Sequence, residues 1–162
     1  MALKKILVPV DFSDCSVAAL KAAINIARSF DAKILALHVI HDPADAPGFY
    51  ASQKAGKKVF RNMEDSATQM MEEFAGKRLR KYEKHECYVR PGIPATQILQ
   101  FAQKQKVDMI AMGTHGRGGL DRLMLGSVAD RVIRSSDCPV LIVRDGQKAA
   151  KDQDGGDAAQ DD

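Results

Sequence analysis

Two short segments of this chain combine residue types that suit the binding of phosphate. Residues 113–119 contain four glycines and Arg117, and Gly126-Ser127 directly precedes an amphipathic stretch. Glycine lets main-chain N–H groups approach an anion closely, and clustered N–H groups form a concave anion site. A helix N-terminus adds unpaired donors with a partial positive charge. We therefore predict one phosphate over residues 113–116 and a second against Gly126, Ser127 and the first turn of the helix.

A carboxylate is expected near the same place. Asp11 ends the sequence Pro9-Val10-Asp11, which follows the first apolar run of the chain. In open parallel sheets, ligands bind beyond the carboxyl ends of the strands, where the strand order reverses. If the first and fourth strands are neighbours, Asp11 and the glycine-rich segment face one crevice. Asp11 could instead cap the turn before the first helix, and this alternative stays open.

The common signatures of phosphoryl-transfer and dinucleotide sites do not fit the glycine-rich segment. A P-loop needs a lysine before Ser127, and Leu125-Gly126 stands there instead. The Gly-x-Gly-x-x-Gly pattern is absent from this segment, and His115 has no nucleophile or carboxylate of assured proximity. The sequence also contains no clear acidic metal cluster. These features favour binding over catalysis.

Hydrophobic periodicity predicts the elements that position these segments. Continuous apolar runs predict five strands, at Lys5–Pro9, Ala32–Ile40, Glu86–Val89, Val107–Met112 and Val140–Val143. Helical spacing predicts four helices, at Ser16–Phe30, at Lys57–Tyr82, after Pro94 and from Val128. Alternating strands and helices require crossover connections, and apolar runs indicate strands covered on both faces. We predict an α/β fold, an open doubly wound five-stranded parallel sheet with helices on both faces and strand order 3-2-1-4-5.

Within the second predicted helix, apolar residues follow a 3-4-3-4 spacing that predicts one stripe packed on the sheet. The stripe consists of Phe60, Met63, Ala67, Met70 and Phe74. Ser13 is expected to cap the first helix. His38 lies within a strand and is expected to be a hydrogen-bonded sheet residue.

Composition limits the class of protein. The chain has 162 residues, of which 45% are hydrophobic and 28% charged, which suits one globular domain. The longest apolar runs are a few residues, far short of the ~20 that a membrane span needs, and the start of the chain lacks a signal-length apolar stretch. Three scattered cysteines, Cys15, Cys87 and Cys138, indicate neither a disulfide framework nor a zinc site. A reducing cytoplasmic location is therefore expected.

The net charge of +3 conceals two different regions. Residues 145–162 contain six Asp and two Lys, whereas residues 1–144 contain 22 basic and 15 acidic groups and carry +7. We predict one domain at 1–144 followed by a disordered acidic tail at 145–162. The basic domain suggests an anionic ligand or partner.

The motif Gly113-x2-Gly116-x9-Gly126-Ser127 resembles that of the universal stress protein family, in its nucleotide-binding branch. Flanking residues are also similar, including Ile6-Leu7-Val8-Pro9-Val10-Asp11, Leu37-His38-Val39 and Cys138-Pro139-Val140-Leu141-Ile142-Val143. The resemblance covers roughly residues 3–144. It implies a stress-response regulatory protein that binds ATP or AMP, with Mg²⁺ possible through the phosphates.

Carried over onto this chain, the resemblance also implies particular contacts. Asp11 would accept hydrogen bonds from the ribose, beside Pro9 and Val10, and Val39 and Met112 would touch the adenine. The ribose and phosphates would contact Gly113, Thr114, Gly116 and Arg117, and the phosphate end would lie on Gly126, Ser127 and Val128. The family also implies a homodimer through the last strand, Val140, Leu141, Ile142 and Val143.

Three classes of function stay open at this point. The first is a nucleotide-binding regulatory protein with little or no turnover, and the second is a slow ATPase on the same fold. The third is a basic nucleic-acid-binding domain. It is the least favoured, because the cations are scattered along the sequence and no strand carries a run of stacking aromatic residues.

Overall fold

The computed structural model describes residues 2–41, 53–114 and 125–144, and for residues 53–60 the backbone alone. Its strands are β1 (Lys5–Pro9), β2 (Lys33–Ile40), β3 (His85–Pro91), β4 (Met109–Gly113) and β5 (Val140–Val143). Its helices are α1 (Asp14–Phe30), α2 (Gln53–Arg78), α3 (Pro94–Gln105) and α4 (Ser127–Ser135). The predicted acidic tail, residues 42–52, and His115, Gly116 and Arg117 lie outside this description.

The strands form one parallel sheet in the order β3-β2-β1-β4-β5, as predicted. β1 pairs with β2 from Lys5 opposite Lys33 to Pro9 opposite Leu37. On its other side β1 pairs with β4, so the chain moves outward in one direction from β1 and in the other from β4. The carboxyl ends of β1 and β4 therefore lie side by side at the point where the strand order reverses.

Alternate residues of the strands supply two cores. Ile6, Val8 and Ile34 pack with residues of α1 and α2, whereas Leu7, Leu35 and Ile110 pack with residues of α3 and α4. All six of these side chains are buried. Since side chains alternate between the faces of a strand, a strand covered on both faces must be apolar at every position. This pattern explains why the strands read as continuous apolar runs.

The predicted stripe on α2 is partly wrong. Ala67 and Phe74 are buried, but Met63 and Met70 are exposed, and Met71 is buried in place of Met70. The buried residues Ala67, Met71 and Phe74 are spaced by four and then three residues. They form one stripe along the helix, rotated slightly from the predicted stripe. The helix also ends at Arg78 rather than Tyr82, because the Tyr82 N–H donates to the carbonyl of Leu79 in a tighter turn.

Local hydrogen bonds fix where α1 begins and ends. Ser13 caps the helix, as predicted, because its hydroxyl accepts from the Ser16 N–H at 3.2 Å. At the other end Asp31 has φ of 53°, and the Ala32 N–H donates to the Ala27 carbonyl. β2 consequently begins at Lys33, one residue later than expected. The capped first turn of α1 directly follows the end of β1 and so lies beside the crevice.

Candidate functional site

A cavity of about 730 Å³ opens at the carboxyl ends of β1, β2 and β4. Its volume falls within the ~300–1,000 Å³ range of small-molecule sites. Ten of the twelve predicted site residues are described, and all ten line it: Pro9, Val10, Asp11, Val39, Met112, Gly113, Thr114, Gly126, Ser127 and Val128. The other two, Gly116 and Arg117, lie outside the described residues. The fold thus brings together segments that are more than 100 residues apart in sequence.

Seven further residues line the same cavity and were not predicted as site residues: Ser16, Leu37, His38, His41, Pro94, Ile98 and Ala129. Two of them could have been found, because Pro94 was placed at the start of the helix that follows the third strand. The carboxyl ends of parallel strands meet at one edge of a sheet, so Pro94 and Ile98, one turn later, were candidates for the apolar wall. Leu37, His38 and His41 needed the register of β2 against β1, whereas Ser16 and Ala129 lie in the first turns of α1 and α4.

The carboxylate of Asp11 has a structural role as well as a place in the cavity. Its Oδ1 accepts from the Ser13 N–H at 3.0 Å and from the Ser13 hydroxyl at 2.5 Å. Asp11 therefore does cap the turn before α1, as the alternative in the sequence analysis proposed, but it does so through Oδ1 alone. Among the hydrogen bonds of the described residues, Oδ2 of Asp11 takes part in none, so it can accept from a ligand while Oδ1 holds the turn.

The residue after Asp11 has an unusual backbone. Phe12 has φ of 65°, in the left-handed region, which costs a non-glycine residue about 1–3 kcal/mol. Its ring lies 4.5 Å from that of His38, and its edge meets Phe74 at 5.6 Å, measured between ring centroids. These aromatic contacts hold the strained turn that carries Asp11 into the cavity.

The end of β2 presents main-chain groups to the crevice. The Val10 N–H donates to the Leu37 carbonyl at 2.8 Å, so Leu37 directs its main-chain groups toward β1. Val39 is two residues further along β2 and directs its main-chain groups the same way. Because β1 ends at Pro9, Val39 lies beyond its last residue, and its N–H and C=O face the cavity.

The N-terminus of α4 forms another wall of the cavity. The helix has Gly126 as its N-cap, with φ of −62° and ψ of 148° and no side-chain cap. The Gly126 N–H itself donates to the Thr114 carbonyl at 2.8 Å, and the Gly126 carbonyl accepts from Asp130 N–H. The helix end therefore leaves the first helical N–H groups, those of Ser127, Val128 and Ala129, without a partner among the described residues.

The positive electrostatic potential at this wall comes from the main chain of α4 rather than from charged side chains. Among the described residues that line the cavity there is no Lys or Arg, and Asp11 is the only carboxylate. The carboxylate of Asp130, in the first turn of α4, is paired with Arg134 at 2.9 Å. The partial positive charge of the helix end thus acts on the cavity without an unpaired acid of its own helix beside it.

Gly113 is required for packing rather than for a special backbone angle. A Cβ built on it would lie 2.7 Å from the Cβ of Cys15 and 2.9 Å from the Cys15 carbonyl carbon. The first turn of α1 therefore lies directly on the end of β4. This contact sets the spacing between the first turn of α1 and the end of β4.

In residues 2–41, 61–114 and 125–144, no group of three or more His, Cys, Asp or Glu side chains could hold a metal ion. Within the same part of the chain, no helix has the length and apolar character needed to cross a membrane.

The sheet order, the crevice at its reversal point and the helix end that lines it define a doubly wound α/β protein with a cavity in the size range of small-molecule sites. The chain belongs to the universal stress protein family, whose family model matches residues 2–144. That span covers both walls of the cavity and all five strands.

Similar proteins cover nearly the whole chain. Universal stress protein MJ0531 of Methanocaldococcus jannaschii is 39% identical over 153 residues, covering 90% of this chain and 84% of that protein. Universal stress protein YxiE of Bacillus subtilis is 33% identical over 145 residues, covering 86% of this chain and 98% of that protein.

Solved structures share the fold. That of MJ0577 from Methanocaldococcus jannaschii has a TM-score of 0.78 and 30% identity, and covers 89% of this chain and 97% of that one. A universal stress protein in complex with cAMP has a TM-score of 0.65 and 25% identity, and covers 90% of this chain and all of that one. The predicted fold and family are confirmed by these likenesses.

Proposed function

We propose that this protein binds an adenine nucleotide, ATP or AMP, as a regulatory ligand in the stress response, with little or no turnover. One observation carries the proposal. A single cavity is lined by buried apolar side chains, by Val39 near the end of β2 and by the first residues of α4, whose N–H groups have no partner among the described residues. The family and the solved relative in complex with cAMP support the same ligand class.

The base would occupy the apolar end of the cavity. Val10, Met112 and Ile98 provide buried apolar surface there. Adenine carries both a hydrogen-bond donor and an acceptor on one edge, and Val39 offers the matching groups, with its N–H as the donor and its C=O as the acceptor. Asp11 would accept from ribose hydroxyls through Oδ2.

The phosphates would lie against the start of α4. The N–H groups of Ser127, Val128 and Ala129 and the exposed Ser127 hydroxyl would donate to phosphate oxygens. Gly126 contributes by having no side chain, because its N–H is bound to Thr114. Gly113, Thr114, Gly116 and Arg117 would add further contacts, and Mg²⁺, if bound, would be held mainly by the phosphates.

We propose binding rather than hydrolysis because phosphoryl transfer needs groups that stabilise the charge developing on the transferred phosphoryl, and no Lys or Arg lines the cavity among the described residues. A slow ATPase on the same fold is the alternative.

We also propose a cytoplasmic location, which the three free thiols of Cys15, Cys87 and Cys138 support.

Gentle denaturation of the purified protein releases any nucleotide that it carries, and mass spectrometry of the released material tests the ligand class directly. Calorimetry with ATP, AMP and GTP, each with Mg²⁺ and with EDTA, then measures affinity and base selectivity. We expect co-purified ATP or AMP and heat with the adenine nucleotides, at least tenfold weaker with GTP. No heat with any adenosine phosphate would overturn the proposal, and steady accumulation of ADP over many turnovers would favour the ATPase.

We also propose a homodimer through β5. This strand lies at the edge of the sheet and pairs only with β4 among the described strands. Its four residues are all apolar, yet each is only half-buried. The Ile110 and Thr114 N–H groups donate to the carbonyls of Pro139 and Val143, so Val140 and Ile142 direct their main-chain groups away from β4. Pairing with a second copy would satisfy these groups.

A further inference from the structure

We propose that His38 is a positioning residue that ends the β1–β2 ladder and thereby leaves the Val39 N–H free for the base of the nucleotide. The inference rests on the proposed function for its ligand, but its structural part can be tested without one. It starts from a hydrogen bond of 2.7 Å between His38 Nδ1 and the Val10 carbonyl. Because a carbonyl oxygen only accepts, Nδ1 carries the hydrogen.

The ladder itself shows what this bond replaces. The Lys33 N–H donates to the Lys4 carbonyl, and the Val10 N–H donates to the Leu37 carbonyl. In a parallel pair the bonds repeat every two residues along each strand. The next bond in this series would run from the Val39 N–H to the Val10 carbonyl.

That next bond is not made among the described residues. The imidazole of His38 occupies the Val10 carbonyl instead, from the residue immediately before Val39. The ladder therefore stops one bond short, and the Val39 N–H remains beyond its end, at the cavity. A side chain has taken the place of a main-chain donor, and the main-chain donor becomes available to a ligand.

The position of the imidazole is itself fixed. The Phe12 ring lies 4.5 Å from the His38 ring at a tilt of 40°, and Phe74 meets Phe12 edge-on. Phe12 reaches this position through its left-handed backbone, with φ of 65°. The contact between Phe12 and His38 therefore fixes both the turn that contains Asp11 and the imidazole that binds the Val10 carbonyl.

Three substitutions separate the hydrogen bond from the bulk of the side chain. In His38→Asn, Nδ2 occupies nearly the position of Nδ1 and can donate to the Val10 carbonyl. In His38→Gln, the amide lies one bond further out, and in His38→Leu there is no donor. The asparagine and glutamine variants carry the same chemical group and differ in reach.

Amide hydrogen exchange tests the structural part in the ligand-free protein. We expect the Val39 N–H of the wild type to exchange quickly beside a protected Leu37, and to stay fast in His38→Asn. In His38→Leu the Val10 carbonyl becomes free, so we expect the ladder to extend and Val39 to become protected. A protected Val39 in the wild type would overturn the inference whatever the protein binds.

Calorimetry with AMP tests the consequence for the ligand, with circular dichroism as the control for folding. We expect His38→Asn to bind within about threefold of the wild type, and His38→Gln and His38→Leu to bind about tenfold more weakly. Equal affinity in all four folded proteins would overturn the positioning role. Absence of binding in the wild type would overturn the proposed function instead, while the exchange result on Val39 would stand by itself.

Discussion

The main-chain N–H of Gly126 donates to the carbonyl of Thr114 at 2.8 Å, so the two ends of the glycine motif are joined by a backbone hydrogen bond. The Thr114 N–H in turn donates to the Val143 carbonyl of β5. The start of α4 is thereby fixed to the ends of β4 and β5. The N–H groups of its first turn are consequently held at the cavity before any ligand is present, which lowers the cost of ordering on binding.

A negative charge at Gly126 should abolish nucleotide binding without harming the fold. Gly126 has φ of −62° and ψ of 148°, which any residue adopts, and Asp is a favourable N-cap. In Gly126→Asp the carboxylate would lie where a phosphate is expected. We predict a loss of affinity for ATP of about a hundredfold or more, by calorimetry, with an unchanged or higher melting temperature.

Gly126→Asn is the matched control, since Asn has nearly the same size, caps helices well and carries no charge. It should lose less than about tenfold in affinity. Equal losses in both variants would show that space rather than charge matters at this position. Unchanged ATP affinity in folded Gly126→Asp would contradict the placement of the phosphates on α4.

A methyl group at Gly113 should destabilise the protein through its contact with α1. The added Cβ would lie 2.7 Å from the Cys15 Cβ and 2.9 Å from a main-chain atom, so α1 or β4 must move. We predict that Gly113→Ala lowers the free energy of unfolding by about 1–3 kcal/mol, measured in urea. Gly76→Ala, in α2 with no atom within 4 Å of the new Cβ, should instead raise it by about 0.5–1 kcal/mol. A Gly113→Ala protein as stable as the wild type would contradict the close approach of α1 to β4.

Tyr82 should make stability sensitive to alkaline pH. Burial, and then the negative charge of Asp31, raises the pKa of Tyr82 above its ordinary value of 10.0. Its buried hydroxyl donates to the Ala32 carbonyl. Because the folded-state pKa is the higher one, this contribution is complete below pH 10 and is lost as the pH rises through the folded-state value.

Tyr82→Phe should therefore lower the free energy of unfolding by about 0.5–1.5 kcal/mol at pH 7. Above pH 10 the difference from the wild type should shrink, and urea unfolding measured from pH 7 to 11 checks both statements. A constant difference across that range would show that ionisation of Tyr82 has no part in alkaline unfolding.

The proposed dimer depends on a main-chain donor of β5. Ile142 directs its N–H away from β4, so Ile142→Pro removes a donor that the outer edge needs and spares the bonds to β4. We predict that light scattering after gel filtration gives twice the chain mass of 17.7 kDa for the wild type and once for this variant. Ile142→Ala keeps the N–H and should stay dimeric, and a dimer that persists in the folded proline variant would place the interface elsewhere.

The fold could be predicted from the sequence because hydrophobic periodicity is a local property of each strand and helix. Each of the five apolar runs is separated from the next by one predicted helix, and this alternation predicts a parallel sheet covered on both faces. Local spacing was less reliable on α2, where Met70 is exposed and Met71 buried. Spacing alone does not choose between the adjacent apolar residues Met70 and Met71, because the side chains packed against the helix decide which of the two is buried.

The sequence by itself determined the family, the parallel sheet and the positions where a ligand is expected, because glycine spacing, caps and apolar periodicity are properties of short segments. Only the tertiary structure decided which polar groups are available to that ligand. The Gly126 N–H is taken by the Thr114 carbonyl, and the Val39 N–H is left out of the β1–β2 ladder. Both depend on which polar groups lie within about 3 Å of each other across the fold, and strand register and the packing of His38 decide this for Val39.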